Sequence, residues 1–427
     1  MGAHGHGHGG AGVETTPRPR LATALAAIVG LVAAAAIAGM VVLWPATKDV
    51  PRGEDPYGGE GVAIVDATVT GVEPFDCEND GTAPNSGKTI LGDCAVVSVT
   101  VDSGDAEGEA ADFLLDSTRF ASTEMAEGDG VQLIELTPPG QETSWEFYDH
   151  QRGAPLLWLA LAFAVLVVLI GRWRGLFALV GIAVTLAALV WFILPALLSG
   201  QPALAVAIVG STAIMISVLY LAHGISIRTT AALFGTLFGI AFTALLGAAA
   251  TGWAHLTGVG SEDDFLLAAE APAMRLSGVV AATMVIAGLG VLNDVTVTQA
   301  SAVWELRAAR PEATRRALLV SAMRIGRDHI ASSVYTLVFA YAGSAIVLLL
   351  LITVYQQGVV QVLTTEQVAQ EVVRTLVGAI GLVLAVPVTT AIAAALAPTA
   401  NTAVEQPAGP STTAVEQPAG SSNKVVE

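Results

Sequence analysis

The basic residues of this 427-residue chain are concentrated in alternate gaps between its long uncharged stretches. Arg172 and Arg174 lie in one gap, Arg228 in another, and six arginines from Arg307 to Arg327 in a third. Cytoplasmic loops of membrane proteins retain Lys and Arg because translocating these residues is unfavourable. The alternation therefore predicts a multi-pass membrane protein whose arginine-bearing gaps face the cytoplasm.

The uncharged stretches are long enough to cross a bilayer. The chain is 53% hydrophobic and 13% charged, whereas soluble domains are about 25% charged, and a bilayer core needs roughly 20 apolar helical residues. Eight stretches meet this need: 21–44, 153–171, 175–199, 200–224, 229–252, 276–293, 330–355 and 375–397. The sequence thus predicts an α-helical polytopic protein of the plasma membrane with about eight transmembrane helices, the first an uncleaved signal anchor. Both termini would be cytoplasmic.

One segment, residues 45–152, carries the whole net charge of the chain. From Lys48 to Arg152 there are 23 acidic and five basic residues, whereas the rest of the chain has 14 of each. Such acidity disfavours nucleic acid as a partner and indicates a separate, water-exposed unit. Its location between the first and second helices makes it extracytoplasmic.

Short runs rich in β-branched residues predict an all-β fold for this acidic segment. Val62–Thr70, Cys94–Val101 and Val131–Leu136 alternate in polarity and are separated by Gly, Asp and Asn turns, a pattern typical of a small barrel or sandwich. Cys77 and Cys94 are the two cysteines of the chain. Outside the cell they would form a disulfide worth about 3 kcal/mol on the loop-entropy model; the alternative is two free thiols in a cytosolic domain.

Both ends of the chain have compositions that cannot form a packed core. Residues 1–20 are rich in His and Gly, and residues 398–427 repeat an eight-residue string rich in Pro and Ala, so both are predicted to be disordered cytoplasmic segments. His4, His6 and His8 are weak candidates for Zn²⁺ or Ni²⁺ binding, because flexible glycines separate them. We predict no metal centre and no cofactor.

The region 153–397 forms the predicted seven-span block, with one long cytoplasmic connection. This connection, residues 294–329, contains Pro311 and a pattern of apolar and arginine positions that predicts an amphipathic helix lying in the membrane plane. Ser261, followed three residues later by Asp264, predicts a capped helix in an external loop.

Ionisable residues near membrane depth are the candidates for chemistry. Asn293, Asp294, Asp328 and His329 are predicted to converge on the cytoplasmic boundary with His223 at the same level, and such groups often mark ion or proton pathways. The alternative is structural, with Asp294 capping a helix and Asp328 paired with a neighbouring arginine. No catalytic motif is present in the sequence, so we predict no enzymatic activity and no catalytic residues.

Three strings carry a resemblance to a known family. They are Gly290-Val-Leu-Asn-Asp-Val-Thr-Val-Thr-Gln-Ala, Gly326-Arg-Asp-His-Ile-Ala-Ser-Ser-Val-Tyr-Thr-Leu-Val-Phe-Ala-Tyr-Ala-Gly and Glu371-Val-Val-Arg-Thr-Leu-Val-Gly-Ala-Ile-Gly-Leu-Val-Leu-Ala-Val-Pro. At these residues the chain resembles the YibE/F-like family of multi-pass bacterial membrane proteins. The resemblance covers roughly residues 60–397. It implies a bacterial plasma-membrane protein with one external domain before a seven-span block, and it assigns no activity.

Two functions remain open on this sequence. The number of spans, the ionisable cluster and a kink expected at Pro387 favour a transporter or permease. The alternative is a cell-envelope sensor or assembly scaffold that acts through the external β domain. Gly235 with Gly239, and Gly378 with Gly381, predict close helix packing. The lipid bilayer is the expected partner, with a homo-oligomer or an envelope protein as open possibilities.

Overall fold

The computed structural model describes residues 19–46, 49–51, 57, 59, 61–76, 93–138, 140, 142–356 and 358–398. The chain divides into two units. One contains residues 43–201 and 261–275, and the other contains the remaining helices. Each unit is described by itself below.

A small antiparallel β half-barrel begins the first unit. Its elements are β1 (Val62–Asp76), β2 (Asp93–Val101), β3 (Ala110–Leu115), α2 (Ser117–Ser122), β4 (Gly130–Leu136) and β5 (Ser144–His150). The strands pair in the order β3-β2-β1-β4-β5. The Phe113 ring of β3 stacks on the Phe147 ring of β5, with centroids 5.7 Å apart, so the two edge strands approach each other. This confirms the predicted small β fold.

Alternation of side chains along the strands builds the core of the half-barrel. Val65, Ala67 and Val69 of β1 are buried, and their neighbours in the strand are more exposed, as expected for a sheet with one solvated face. The three strands predicted from sequence are present, and β3 and β5 are two more. Cys94 lies buried in β2. Cys77 lies outside the described residues, as do His4, His6 and His8, so the disulfide and the weak metal candidates stay predictions.

One long helix, α3 (Gly153–Ala188), follows β5 in the same unit. It continues into a π-helical turn (Leu189–Ile193) and the short helix α4 (Leu194–Leu198). α3 is broken at Arg172, where φ is 52° and ψ is −136°. A Cβ on Gly175 would overlap the carbonyl oxygen of Val167, although residues eight apart in a straight helix are about 12 Å apart. The chain therefore reverses at Arg172, in the gap between the predicted spans 153–171 and 175–199.

The second unit is a helical bundle. Its helices are α1 (Pro19–Val42), α5 (Ala203–His223), α6 (Ile227–Trp253), α8 (Leu276–Ala309), α9 (Arg315–Ser344), α10 (Ile346–Val354), α11 (Val359–Leu363) and α12 (Glu366–Leu396). α6, α8 and α12 pack against one another at the centre, and α9 packs on α8 and α12. The external helix predicted at Ser261 is α7 (Glu262–Glu270) of the first unit, and Ser261 and Asp264 form its capping box.

The structure has no boundary at residue 293, where the sequence predicted the end of a span and the start of a cytoplasmic connection. α8 continues to Ala309, and α9 begins at Arg315 behind the N-cap Thr314. The region predicted as a connection, residues 294–329, is therefore the ends of two long helices joined by a short turn. The prediction ended the span at residue 293 because Asp294 is the first charged residue after the apolar run. A helix continues as long as its backbone N–H and C=O groups bond to one another, so a charged residue does not by itself end it.

Six helices of the described chain are long and apolar enough to cross a membrane, or seven if α9 and α10 count as one span bent by 59°. The structure thus supports a membrane protein, and the count of eight stays a prediction. α12 runs without interruption through Pro387. Next to this proline, the Thr389 and Thr390 hydroxyls donate to the carbonyls of Ala385 and Val386, each at 2.7 Å.

Candidate functional site

Helices α8 and α9 are held together by a buried amide. The Nε2 of Gln299 on α8 donates to the carbonyl of Ala322 on α9 at 2.9 Å, and Gln299 is fully buried. A Cβ on Gly326 would lie 3.0 Å from the Gln299 Oε1 and 2.8 Å from a methyl of Val386 on α12. Since only a glycine permits this approach, α9 has a fixed position along α8 and α12.

That packing brings together two of the predicted site residues. The Nε2 of His329 lies 3.7 Å from the Oδ2 of Asp294, longer than a direct hydrogen bond. The Asp294 side chain is 69% exposed and the His329 side chain 28% exposed. An ionised carboxylate facing lipid is costly, so this exposure requires headgroups, water or a partner around Asp294. The structure thus places side by side an imidazole and a carboxylate that the sequence predicted for an ion or proton pathway.

The neighbouring Asn293 has a buried Oδ1 with no hydrogen-bond partner among the described residues. One turn along α8, the hydroxyl of Thr296 lies 2.7 Å from that of Thr236 on α6, and both side chains are buried. Sequence reasoning missed Thr236, Thr296 and Gln299. They could have been recognised as uncharged polar residues within apolar helices, because such side chains often form hydrogen bonds to a neighbouring helix.

The other two predicted residues lie elsewhere. His223, at the end of α5, borders a small cavity with Arg228 and Thr229 of α6 and Val297, Ala300 and Ser301 of α8. Asp328 is exposed, and it forms no ion pair within 4 Å in the described part of the chain. The proposed pairing of Asp328 with an arginine is therefore wrong. The proposed capping role of Asp294 is also wrong, because Asp294 lies inside α8.

A second group of polar side chains, the Arg374 cluster, was not predicted as a site. It consists of Glu371 and Arg374 on α12, Thr283 on α8 and Tyr341 on α9. Arg374 donates to Glu371 through Nη1, and its Nη2 lies 3.5 Å from the Thr283 hydroxyl. Tyr341 is half-buried within electrostatic range of both charges.

An apolar layer lies between the two polar groups. His329 and Tyr341 are 12 positions apart on α9, about 18 Å along the helix axis, and Leu337 lies between them. Leu337 is buried in one hydrophobic cluster with Val295 of α8 and with Leu382 and Val386 of α12. The three helices therefore carry polar groups at two levels, with a close-packed apolar contact between the levels.

A protein-family comparison adds independent information. The family model described as YibE/F-like protein matches residues 159–399, more than half of the chain. The chain belongs to the YibE/F-like family. This confirms the resemblance drawn from the three strings. No curated protein matches the chain, and no solved structure matches it.

The match of the YibE/F-like model contains both polar groups, whereas the β half-barrel lies before its start. Within the described ranges, no three His, Cys, Asp or Glu side chains lie together in a way that could hold a metal ion. The described part of the bundle contains the His329–Asp294 pair, the Arg374–Glu371 pair, the buried Arg307 and buried hydroxyl and amide groups.

Proposed function

We propose that this YibE/F-like protein is a multi-pass plasma-membrane permease that moves a polar solute or ion along α8, α9 and α12. The observation that carries the proposal is the two polar levels separated by the Leu337 layer. Polar groups are rare in membrane helices unless they line a path or pair with one another. A permease needs sites accessible from each side and a barrier between them.

The length of α8 supports a position for Asp294 near one membrane face. Asp294 lies 18 residues after Leu276, about 27 Å along the axis, and a bilayer core is about 30 Å thick. If Leu276 marks one face, the Asp294–His329 pair lies near the opposite face. This agrees with the proposed orientation, in which the arginine-rich turn between α8 and α9 is cytoplasmic.

The number of crossings also belongs to the proposal. The long helical stretch Gly153–Leu198 counts as two spans if it is divided at the break at Arg172, and α9 with α10 counts as one bent span. The total is then eight, the number predicted from sequence. Eight crossings leave both termini in the cytoplasm and the acidic β domain outside.

The test begins with the solute. Metabolites and ions that accumulate or disappear in a depletion strain identify the candidates, and flux of these and of protons is then measured in proteoliposomes. We expect wild-type protein to move one of them and Asp294→Asn to abolish that flux while the variant still elutes as a folded protein. Neutralising Asp294 removes the charge that faces His329.

Asp328→Asn is the matched control, because it changes the same chemical group one residue before His329. Asp328 has no ion-pair partner in the described structure, so its variant should retain flux. Unchanged flux in Asp294→Asn would refute the role given to Asp294.

A second candidate function is an envelope sensor or scaffold, and one observation favours it. The β half-barrel has its own hydrophobic core, which includes Val97, Phe113, Leu115 and Leu133. Crosslinking from this domain should then capture one specific envelope partner, and deletion of residues 55–148 should abolish function. Retained activity in the deletion variant would exclude the scaffold.

A further inference from the structure

We propose that the Arg374 cluster is a binding site for a small carboxylate anion, occupied in this structure by the side chain of Glu371. The site requires only binding and does not depend on the proposed transport. It would identify a small carboxylate as the class of ligand bound at the level of the Arg374 cluster, on the other side of the Leu337 layer from Asp294.

The first argument is the incomplete pairing of Arg374. A guanidinium presents five N–H donors in a planar fork and binds carboxylates best through two parallel bonds. Here Glu371 accepts from Nη1 through Oε1 only. The Nε of Arg374 and the Oε2 of Glu371 are both buried and have no hydrogen-bond partner among the described residues.

The second argument is the origin of that mismatch. Glu371 lies three residues before Arg374 on the same helix, so the helix backbone limits how the carboxylate can face the guanidinium. A free carboxylate has no such tether and can align with two donors at once. Replacing Glu371 by a free anion would therefore satisfy the buried Nε that is now unpaired.

The third argument concerns the neighbouring groups. The Thr283 hydroxyl of α8 lies 3.5 Å from the Nη2 of Arg374, and Tyr341 of α9 lies within electrostatic range of the pair. The side chains of Arg374 and Glu371 are only 21% and 32% exposed, so water screens the guanidinium weakly. When the Glu371 carboxylate leaves the guanidinium, one positive charge remains at this position, and it matches a monovalent oxyanion of the same class as that carboxylate.

A helix break lies next to the cluster. α9 ends at Ser344, three residues after Tyr341, and α10 continues at an angle of 59°. Broken helices form substrate and ion sites in membrane transporters, because their ends present unpaired backbone groups to the ligand. The break between α9 and α10 lies three residues from Tyr341, at the level of the Arg374 cluster.

The experiment is a binding assay on the full-length protein in detergent, with sodium acetate as the probe. Thermal unfolding is followed in acetate and in chloride at equal ionic strength. Glu371→Ala vacates the proposed site, so we expect acetate to raise the melting temperature of this variant in a saturable manner. Wild-type protein should show a smaller acetate effect, because acetate must displace Glu371.

The double variant Glu371→Ala with Arg374→Gln is the control, since it lacks the guanidinium, and it should show no acetate-specific stabilisation. The proposal is overturned if wild type or Glu371→Ala shows no saturable acetate stabilisation, or if the double variant shows it equally. Should Glu371→Ala fail to fold, Glu371→Ser vacates most of the same volume. An acetate effect in Glu371→Ser no larger than in wild type would also overturn the proposal. Flux by Asp294→Asn has no bearing on this result.

Discussion

Gly381 of α12 permits a direct contact with α6, and its substitution gives a sharp test of the bundle. A Cβ at this position would overlap the Thr243 hydroxyl oxygen, whereas the Cβ of Thr243 would be 3.6 Å away, an ordinary contact. Overpacking in a close-packed interior costs about 1–3 kcal/mol. We therefore expect Gly381→Ala to destabilise the protein by about 1–3 kcal/mol relative to a glycine-to-alanine change in open space.

Gly378, one turn earlier on the same helix, was also predicted to pack closely, but this is wrong, and its open position supplies that reference. A Cβ on Gly378 meets no atom within 4 Å, so Gly378→Ala gains only the higher helix propensity of alanine, about 1 kcal/mol. The same propensity gain applies to Gly381→Ala. The difference between the two variants therefore isolates the contact with Thr243.

A double-mutant cycle identifies the contacting atom. The Thr243 hydroxyl is buried with no partner in the described structure, so Thr243→Ala by itself should lose only the burial of its γ-methyl group, about 1 kcal/mol. Combined with Gly381→Ala it removes the overlap, and a coupling energy of about 1–3 kcal/mol should appear. Unfolding free energies of the four proteins are measured by denaturant titration in detergent. Equal stabilities of the Gly378 and Gly381 variants, or no coupling, would refute the predicted packing of α12 on α6.

Two further predictions concern the loops and the orientation. The Glu366 carboxylate accepts from the backbone N–H groups of Thr257 and Gly258, each at 2.6 Å, so Glu366→Ala should increase amide hydrogen exchange at these residues while Glu366→Gln retains part of the protection. In reduced intact cells, a membrane-impermeant maleimide should label Cys77 if the β domain is external, whereas Cys94 is buried in β2 and should stay protected; Cys77 labelling that occurs only after lysis would reverse the topology.

The sequence predicted a helix or strand correctly where one local pattern of residues determines that element. Alternating β-branched runs located β1, β2 and β4, and Ser261 located α7. β3 was missed because Ala-Asp-Phe-Leu-Leu lacks β-branched residues. β5 alternates Trp145 and Phe147 with polar residues, a signal that could have located it.

The candidate site was harder to predict, because it depends on the position of one helix along another. The sequence placed Asp294 and His329 at the same membrane level, and the structure brings them within 4 Å. The contacts of Gln299 and Gly326 align α9 with α8, but one glutamine and one glycine produce no periodic pattern in the sequence from which this alignment could be predicted. The Arg374 cluster was missed for the same reason, since Thr283 and Tyr341 are far from Glu371 in sequence.

Within the seven-span block, the charge pattern that indicated a membrane protein has two exceptions, Arg275 and Arg374, which lie in gaps that are otherwise acidic. Orientation follows from the bias in basic residues among loops, so isolated exceptions do not reverse it. Arg374 is moreover paired with Glu371 in the structure, which lowers the cost of placing its charge near the membrane. Its Nε is nevertheless buried without a partner among the described residues. Arg374 therefore contributes little to the prediction of orientation, whereas the proposed carboxylate site depends on it.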